Sequence, residues 1–405
     1  MNKKIISLII LAFIVGVLFI PSCEAPKKMD NKIGFNVNEG IKNEVLFDSF
    51  IEILMKFAHK PSVSACIIKG DELVWSKGYG NYNIEKDKRA QPDTIYLTAS
   101  ISKTVTATAL MQLYDQGLFE LDEDVNNFLP FSLRNPNHPD KPITFRMLLS
   151  HRSSLANDNN NRISLSYLPG DPDIHDFPYP WLEDYLTPNG NAYSTSVWSE
   201  NVPGEEFAYT NVGFSLIGYL VELISGENFN QYCKNHIFEP LKMFNTSYRL
   251  KDVNISNLAI PYEYTKGNYF PHPHYGMLIL HSAGSMRTST EDLSHFLIAH
   301  MNGGTWEGVE ILKNSTVELM HKDHYLSDGN ERYGLGFSVK INKYGKKEIG
   351  HSGGWPGVHT IMKYRPEDKT AVIALTNSMT PDHEVTLIES LATRIIFNLF
   401  FLKKI

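Results

Sequence analysis

The chain has 405 residues, 42% of them apolar and 12% aromatic, and carries a formal net charge of −7. That is enough apolar material for a large core and argues against intrinsic disorder. With 38 basic residues against 45 acidic ones and no basic stripe, a nucleic-acid partner is excluded.

The N-terminus reads as a targeting segment. Lys3 and Lys4 precede an apolar stretch from Ile5 to Ile20, and "IPSC" closes it at Cys23. A basic start, an apolar run and a small residue before a cysteine form the pattern of a bacterial lipoprotein signal, with Cys23 the acylated first residue of the mature chain. Pro21 is unusual at such a site, so an uncleaved membrane anchor is the rival reading. The stretch is short of the roughly 20 residues that a spanning helix needs. Either way the body of the protein is expected outside the cytoplasm, in the cell envelope and held to a membrane. Residues 24–40 are polar and read as a linker.

The run "IKNEVLFDSFIEILMKFAHK" (41–60) spaces its apolar residues at helical intervals and predicts the first helix. Next, "SVSACIIKGDELVWSKGYGNYN" is two β-rich runs around Gly70 and Asp71, a hairpin signal. From Thr98 to about Gly226 the pattern is mostly helical, with long apolar helices expected at 100–117 and 211–225. Gly117 stands where a helix-ending glycine belongs. Residues 156–200, rich in Asn, Pro, Tyr and Asp, read as a long irregular surface loop. A capped helix follows at "STEDLSHFLIAHMNGG", and then "YGLGFSVKI", "KEIGHSGG", "GVHTIMKYRP" and "TAVIALTN" read as strands. The chain closes on "HEVTLIESLATRIIFNLFFL", an amphipathic helix. Strands at both ends with helices between predict an α+β fold: one antiparallel sheet flanked by terminal helices, with an all-helical domain inserted. The expected boundaries are a sheet part at about 41–97 and 285–400 and a helical part at about 98–284.

Chemistry concentrates in three short segments. In "TASISKTVTA" (98–107), Ser100 and Lys103 are three apart and share a helix face, while Ser102 points elsewhere. A serine hydroxyl becomes a nucleophile when a base takes its proton, and a lysine serves as that base once burial lowers its pKa. An apolar helix supplies the burial. In "GEEFAYTNVGFSLIGYLVE", Tyr209 and Asn211 stand together just before a second apolar helix, a phenol able to relay a proton and an amide able to hold lysine and substrate. In "EIGHSGGWPGVHT", His351, Ser352 and Gly353 lie on a strand, where Gly353 and Gly354 allow close backbone approach.

These segments in this order resemble the serine β-lactamase-like superfamily, in its class C β-lactamase, DD-peptidase and esterase branch. The resemblance runs from about residue 41 to 400 and includes "ITFRMLLSHRSSL", "SAGSMRTSTEDLSHFLIAHMNGG" and "YGLGFSV". It implies an acyl-enzyme on Ser100, with Lys103 as its partner, Tyr209 as general base and acid, and Asn211 assisting. It places the oxyanion hole at the backbone N–H groups of Ser100 and Gly354, beside Gly353. β-Lactamases usually begin the third segment with lysine; here it is His351, the form common among this superfamily's esterases, D-amino-acid peptidases and amidases. The expected function is a serine hydrolase for small ester, amide or peptide substrates. A DD-carboxypeptidase or weak β-lactamase is one alternative, an inactive cell-wall peptide binder another. No cofactor and no metal is expected: His272, His274 and His281 read as loop residues, with no carboxylate at ligand spacing. Cys66 and Cys233 read as buried free thiols.

Overall fold

The computed structural model describes residues 47–49, 51–156, 167–169, 179–277, 280–325, 332–342 and 345–379. The targeting segment, the linker and the expected closing helix at 383–402 lie outside these residues. Residues 1–48 and 49–405 form separate units, and every element below belongs to the second. Of the first expected helix, residues 47–49 and 51–57 are described and helical, and it ends before 58–60.

An eight-stranded sheet is built from the strands β1 (Ser62–Lys69), β2 (Glu72–Asn83), β3 (Lys88–Arg89), β4 (Arg332–Tyr333), β5 (Ser338–Ile341), β6 (Lys347–Trp355), β7 (Val358–Arg365) and β8 (Thr370–Thr376). Its order is β4-β5-β6-β7-β8-β1-β2-β3. The pairings are antiparallel. β1 turns into β2 at Gly70, whose φ of +67° a side chain resists. At the centre β1 meets β8 with Cys66 opposite Ile373, so the two ends of the chain close one sheet. Both strands are buried over most of their length, which explains runs of Ala, Ile and Val in place of strict alternation.

Between the two groups of strands lie the helices α1 (Ser102–Asp115), α2 (Asn211–Ser225), α3 (His281–Gly284) and α4 (Thr290–Met301). α1 is buried from Ser102 to Leu113, its polar Ser102, Lys103, Thr104, Thr106, Thr108 and Gln112 included. It packs on α2 and α3, while α4 lies against β1 and β8. The first expected helix of this region is shorter than 100–117, because residues Ala99–Ile101 form a 3-10 turn ahead of α1. α2 keeps the expected bounds and ends on Gly226 in the left-handed conformation.

The expected irregular loop at 156–200 needs correction. A helix covers Tyr179–Leu186 and a 3-10 turn covers Thr195–Val197. Leu182, Tyr185 and Leu186 share one helix face and are buried in the main core, a spacing hidden by the Pro- and Asn-rich flanks. Cys66 and Cys233 are free and buried, with both thiols pushed up by burial.

Burial also sets the acid response of this core. His281 and His300 are pushed down to about 3, chiefly by desolvation. Their folded pKa lies below the unfolded value, so the stability they contribute is complete above about pH 6.5 and is lost as pH falls toward 3. At pH 5 each should cost about 2 kcal/mol. Urea midpoints measured at pH 7 and pH 5 should fall accordingly, and an unchanged midpoint would contradict this assignment.

Candidate active site

Ser100 sits in the 3-10 turn at the head of α1, half-exposed. The residue before it, Ala99, is held at φ +48°, a left-handed conformation costly for a residue with a side chain. Neighbouring groups hold the turn there. Thr98 Oγ1 donates to the Met286 carbonyl at 2.8 Å, Thr360 Oγ1 of β7 donates to the Thr98 carbonyl at 2.8 Å, and Ser102 Oγ donates to the Ala99 carbonyl at 2.6 Å. Ser102 also accepts from the Met286 N–H and is fully buried, so its hydroxyl is committed to structure. β6 presses on the same turn: a Cβ on Gly353 would lie 2.1 Å from the Thr98 carbonyl oxygen and 3.1 Å from the Ser100 nitrogen. Gly354 follows on the exposed face. β5 pairs with β6 only as far as Gly350, so among the described residues positions 351–354 extend past the last pair with β5.

Lys103 is completely buried. Its Nζ lies 3.1 Å from Ser100 Oγ and donates to Asn211 Oδ1 at 2.7 Å and to the Ala283 carbonyl of α3 at 2.9 Å. Burial alone pushes the ammonium well below the ordinary lysine range. The ring of Tyr209 covers it from 5.0 Å and that of Phe214 from 5.8 Å. Tyr209 shares a hydrogen bond with the Ser100 hydroxyl, and burial pushes its phenol up. Ser100, Lys103, Tyr209 and Asn211 are thus brought together, and His351 joins them with its ring 6.3 Å from that of Tyr209.

His351 is buried and oriented at both nitrogens. Nδ1 lies 2.6 Å from the Ser352 carbonyl, which only accepts, so Nδ1 carries the proton and Nε2 accepts from the Tyr333 hydroxyl at 2.8 Å. Desolvation, then the nearby Lys103, pushes its pKa down to about 3. The imidazole is neutral at physiological pH.

His151 and Tyr333 complete the site, and neither was singled out from the sequence although both lie in segments quoted for the resemblance. His151 is fully buried at φ +57°. Its carbonyl accepts from the Ala208 N–H at 2.8 Å and its Nδ1 from the Thr210 N–H at 3.2 Å, bracketing Tyr209. Its ring lies 4.3 Å from that of Tyr209 and 4.7 Å from that of Tyr333. The segment carrying Tyr209 and Asn211 holds no signal for this, since the support comes from a histidine far upstream in the chain.

With this geometry in place, comparison with known proteins is decisive. Residues 47–393 match the family model described as Beta-lactamase. The chain belongs to this family. Protein flp of Staphylococcus aureus (strain MRSA252) is 25% identical over 350 residues, covering 86% of this chain; the chain spans 66% of that protein's length. The octameric penicillin-binding protein homologue from Pyrococcus abyssi superposes with a TM-score of 0.72 at 27% identity, covering 91% of this chain and 78% of that one. The D-amino acid amidase from Ochrobactrum anthropi SV3, in complex with L-phenylalanine amide, does so with a TM-score of 0.68 at 22% identity, covering 87% and 99%. This last likeness is one of fold. The antiparallel sheet with intervening helices is therefore the architecture of the Beta-lactamase family.

The contact between β6 and the serine turn yields a direct expectation. Gly353→Ala places a methyl group against backbone oxygen, and either the strand or the turn must shift. Such overpacking costs about 1–3 kcal/mol, and labelling of Ser100 by a fluorophosphonate should fall with it. A Gly353→Ala protein that is stable and labels at the original rate would remove this contact from the site's architecture.

Proposed function

We propose that the chain is a serine hydrolase that forms an acyl-enzyme on Ser100 and cleaves ester or amide bonds, peptide bonds included. One observation carries the reading. A neutral lysine amine has two N–H donors and one lone pair. At Lys103 the two shorter contacts go to the Asn211 Oδ1 and Ala283 carbonyl oxygens, which can only accept. The lone pair is left for the third and longest contact, Ser100 Oγ. Burial of Lys103 and of Tyr209 favours the uncharged form of each.

These directions support Lys103 as the base and Tyr209 as the acid, a division that differs from the resemblance, which makes Tyr209 both. Ser100 Oγ attacks the carbonyl carbon and its proton passes to Lys103. The oxyanion is met by the Ser100 N–H at the strained turn and by the exposed edge of β6. As the intermediate collapses, the Tyr209 phenol protonates the leaving group and recovers a proton from Lys103. Water then repeats the sequence on the acyl-enzyme, its proton passing through Lys103 as Ser100 is released. Neutral His351 places no permanent cation beside the serine, which supports neutral esters and amides over β-lactams as acyl donors.

A fluorophosphonate should add its mass to the peptide containing Ser100, and Lys103→Arg should abolish turnover of a p-nitrophenyl ester. Activity requires unprotonated Lys103, so kcat/KM should rise with pH through a pKa below the ordinary lysine value. No ionisation from His351 should appear near pH 6.5. A label on Ser102 or Ser352, or nitrocefin turnover comparable to ester turnover, would overturn the reading. An unlabelled, inactive protein would favour a peptide binder.

We propose also that the protein is exported and lipid-anchored on Cys23, supported by the basic, apolar and cysteine-ended N-terminus. No helix among the described residues is long and apolar enough to cross a membrane. Globomycin should block maturation, and mass spectrometry of the mature N-terminus should find acylated Cys23. An intact segment 1–20 in the membrane-bound protein would favour the uncleaved anchor.

A further inference from the structure

Tyr209 lies in a stretch that neither sheet nor helix governs. Residues 207–210 belong to no helix or strand, and α2 begins only at Asn211. The backbone N–H groups here have no ladder to join, and Thr210 is fully buried, so they need partners from elsewhere. A residue distant in the chain supplies them. The His151 carbonyl accepts from the Ala208 N–H at 2.8 Å, and His151 Nδ1 accepts from the Thr210 N–H at 3.2 Å. Both neighbours of Tyr209 are thus held by His151, whose ring also packs 4.3 Å from the Tyr209 ring.

The backbone at 151 marks this side chain as required. The helix Phe145–Leu149 ends just before it, and His151 takes φ +57°. Glycine adopts that conformation freely, whereas a residue with a side chain resists it, so the imidazole has to return the energy through its contacts. The Thr210 N–H can only donate, so Nδ1 is bare and Nε2 carries the proton. Nε2 is buried without a hydrogen-bond partner among the described residues, which leaves the bond to Thr210 as the ring's one hydrogen bond. Desolvation, then Lys103 and His351, keep the ring from protonating, and Nδ1 stays an acceptor.

We infer that His151 is a positioning residue for Tyr209, that its Nδ1 acceptor aims the phenol at the leaving group, and that it thereby extends the enzyme's range from activated esters to alkyl esters and amides. The inference rests on the acyl-enzyme reading above, with Tyr209 as the acid. As the bond to the leaving group breaks, the phenol proton passes to the departing oxygen or nitrogen and is replaced from Lys103. A displacement of about 1 Å is enough to cost an acid much of its effect. The loss is felt only where the leaving group needs a proton. A p-nitrophenolate departs without one, whereas an alkoxide does not.

The test compares p-nitrophenyl acetate with ethyl acetate. The ratio of their kcat/KM values is taken within each protein, so the fraction folded cancels. In His151→Asn the amide oxygen stands where Nδ1 stood, and asparagine tolerates the left-handed backbone. Its ratio should stay within about threefold of that of the unaltered protein. In His151→Gln the acceptor moves one bond further out, and in His151→Leu it is gone. In both, the ratio should rise about tenfold to hundredfold as alkyl ester turnover fails. Tyr209→Phe should raise it at least as far, and adding His151→Gln to Tyr209→Phe should raise it no more. An unchanged ratio in His151→Gln and His151→Leu, even with both rates lowered, would reduce His151 to a structural residue and overturn the inference. So would a further rise on top of Tyr209→Phe, or an Asn variant that behaves like Gln. A ratio that Tyr209→Phe leaves unchanged, or turnover with no acetylated Ser100 in mass spectra, defeats the reading beneath and the inference with it.

Discussion

The structure is organised around the removal of one amine from water. Lys103 projects from a helix buried on every side, where a bare ammonium would cost far more than any single hydrogen bond returns. The fold answers with carbonyl oxygens and a serine hydroxyl instead of a countercharge. α2 contributes Asn211 at its first residue, and α3 contributes the carbonyl of Ala283. α3 is in turn fixed to its neighbours, since Ser282 Oγ donates to the Phe214 carbonyl and the Ser282 carbonyl accepts from Thr106 of α1. Three helices therefore converge on a single nitrogen, and Ser100 Oγ is its third contact.

A second constraint acts on the other side of Ser100. The left-handed Ala99 stores strain of order 1–3 kcal/mol, which has to be opposed by the surroundings. The opposing bonds come from β7, from the backbone of Met286 and from the head of α1, and the space for them exists because position 353 has no side chain. Rigidity on the sheet side and desolvation on the helix side meet at one hydroxyl. Neither half of the molecule makes the site by itself, which is why its parts are dispersed over nearly the whole chain.

Much of this arrangement was legible in the amino-acid order. Helical spacing in 98–107 places Ser100 and Lys103 together, and the glycines at 70, 117 and 226 mark ends of elements because they need conformations that side chains resist. What stayed hidden depends on contacts between distant segments. The role of His151 arises from a backbone amide some 60 residues later, and that of Tyr333 from a ring on β6. Which acceptors surround the Lys103 amine is likewise something that spacing does not report. The helix at Tyr179–Leu186 is obscured in the sequence because its Pro- and Asn-rich flanks outweigh the helical spacing of Leu182, Tyr185 and Leu186.

The central pairing of β1 with β8 has a consequence in time. A ribosome delivers Ser100 early, the tyrosine later and β6 near the end, while β8, which welds the two halves of the eight-stranded sheet, emerges last of that sheet's strands. Until then the turn bearing Ser100 lacks the strands that hold it in its strained form, and the amine lacks its full enclosure. A chain cut short before Thr370 would carry every reactive side chain discussed here and still lack the seam that makes them one site. Assembly of this constellation is thus a property of the finished polypeptide, withheld from nascent fragments by the order in which the strands are made.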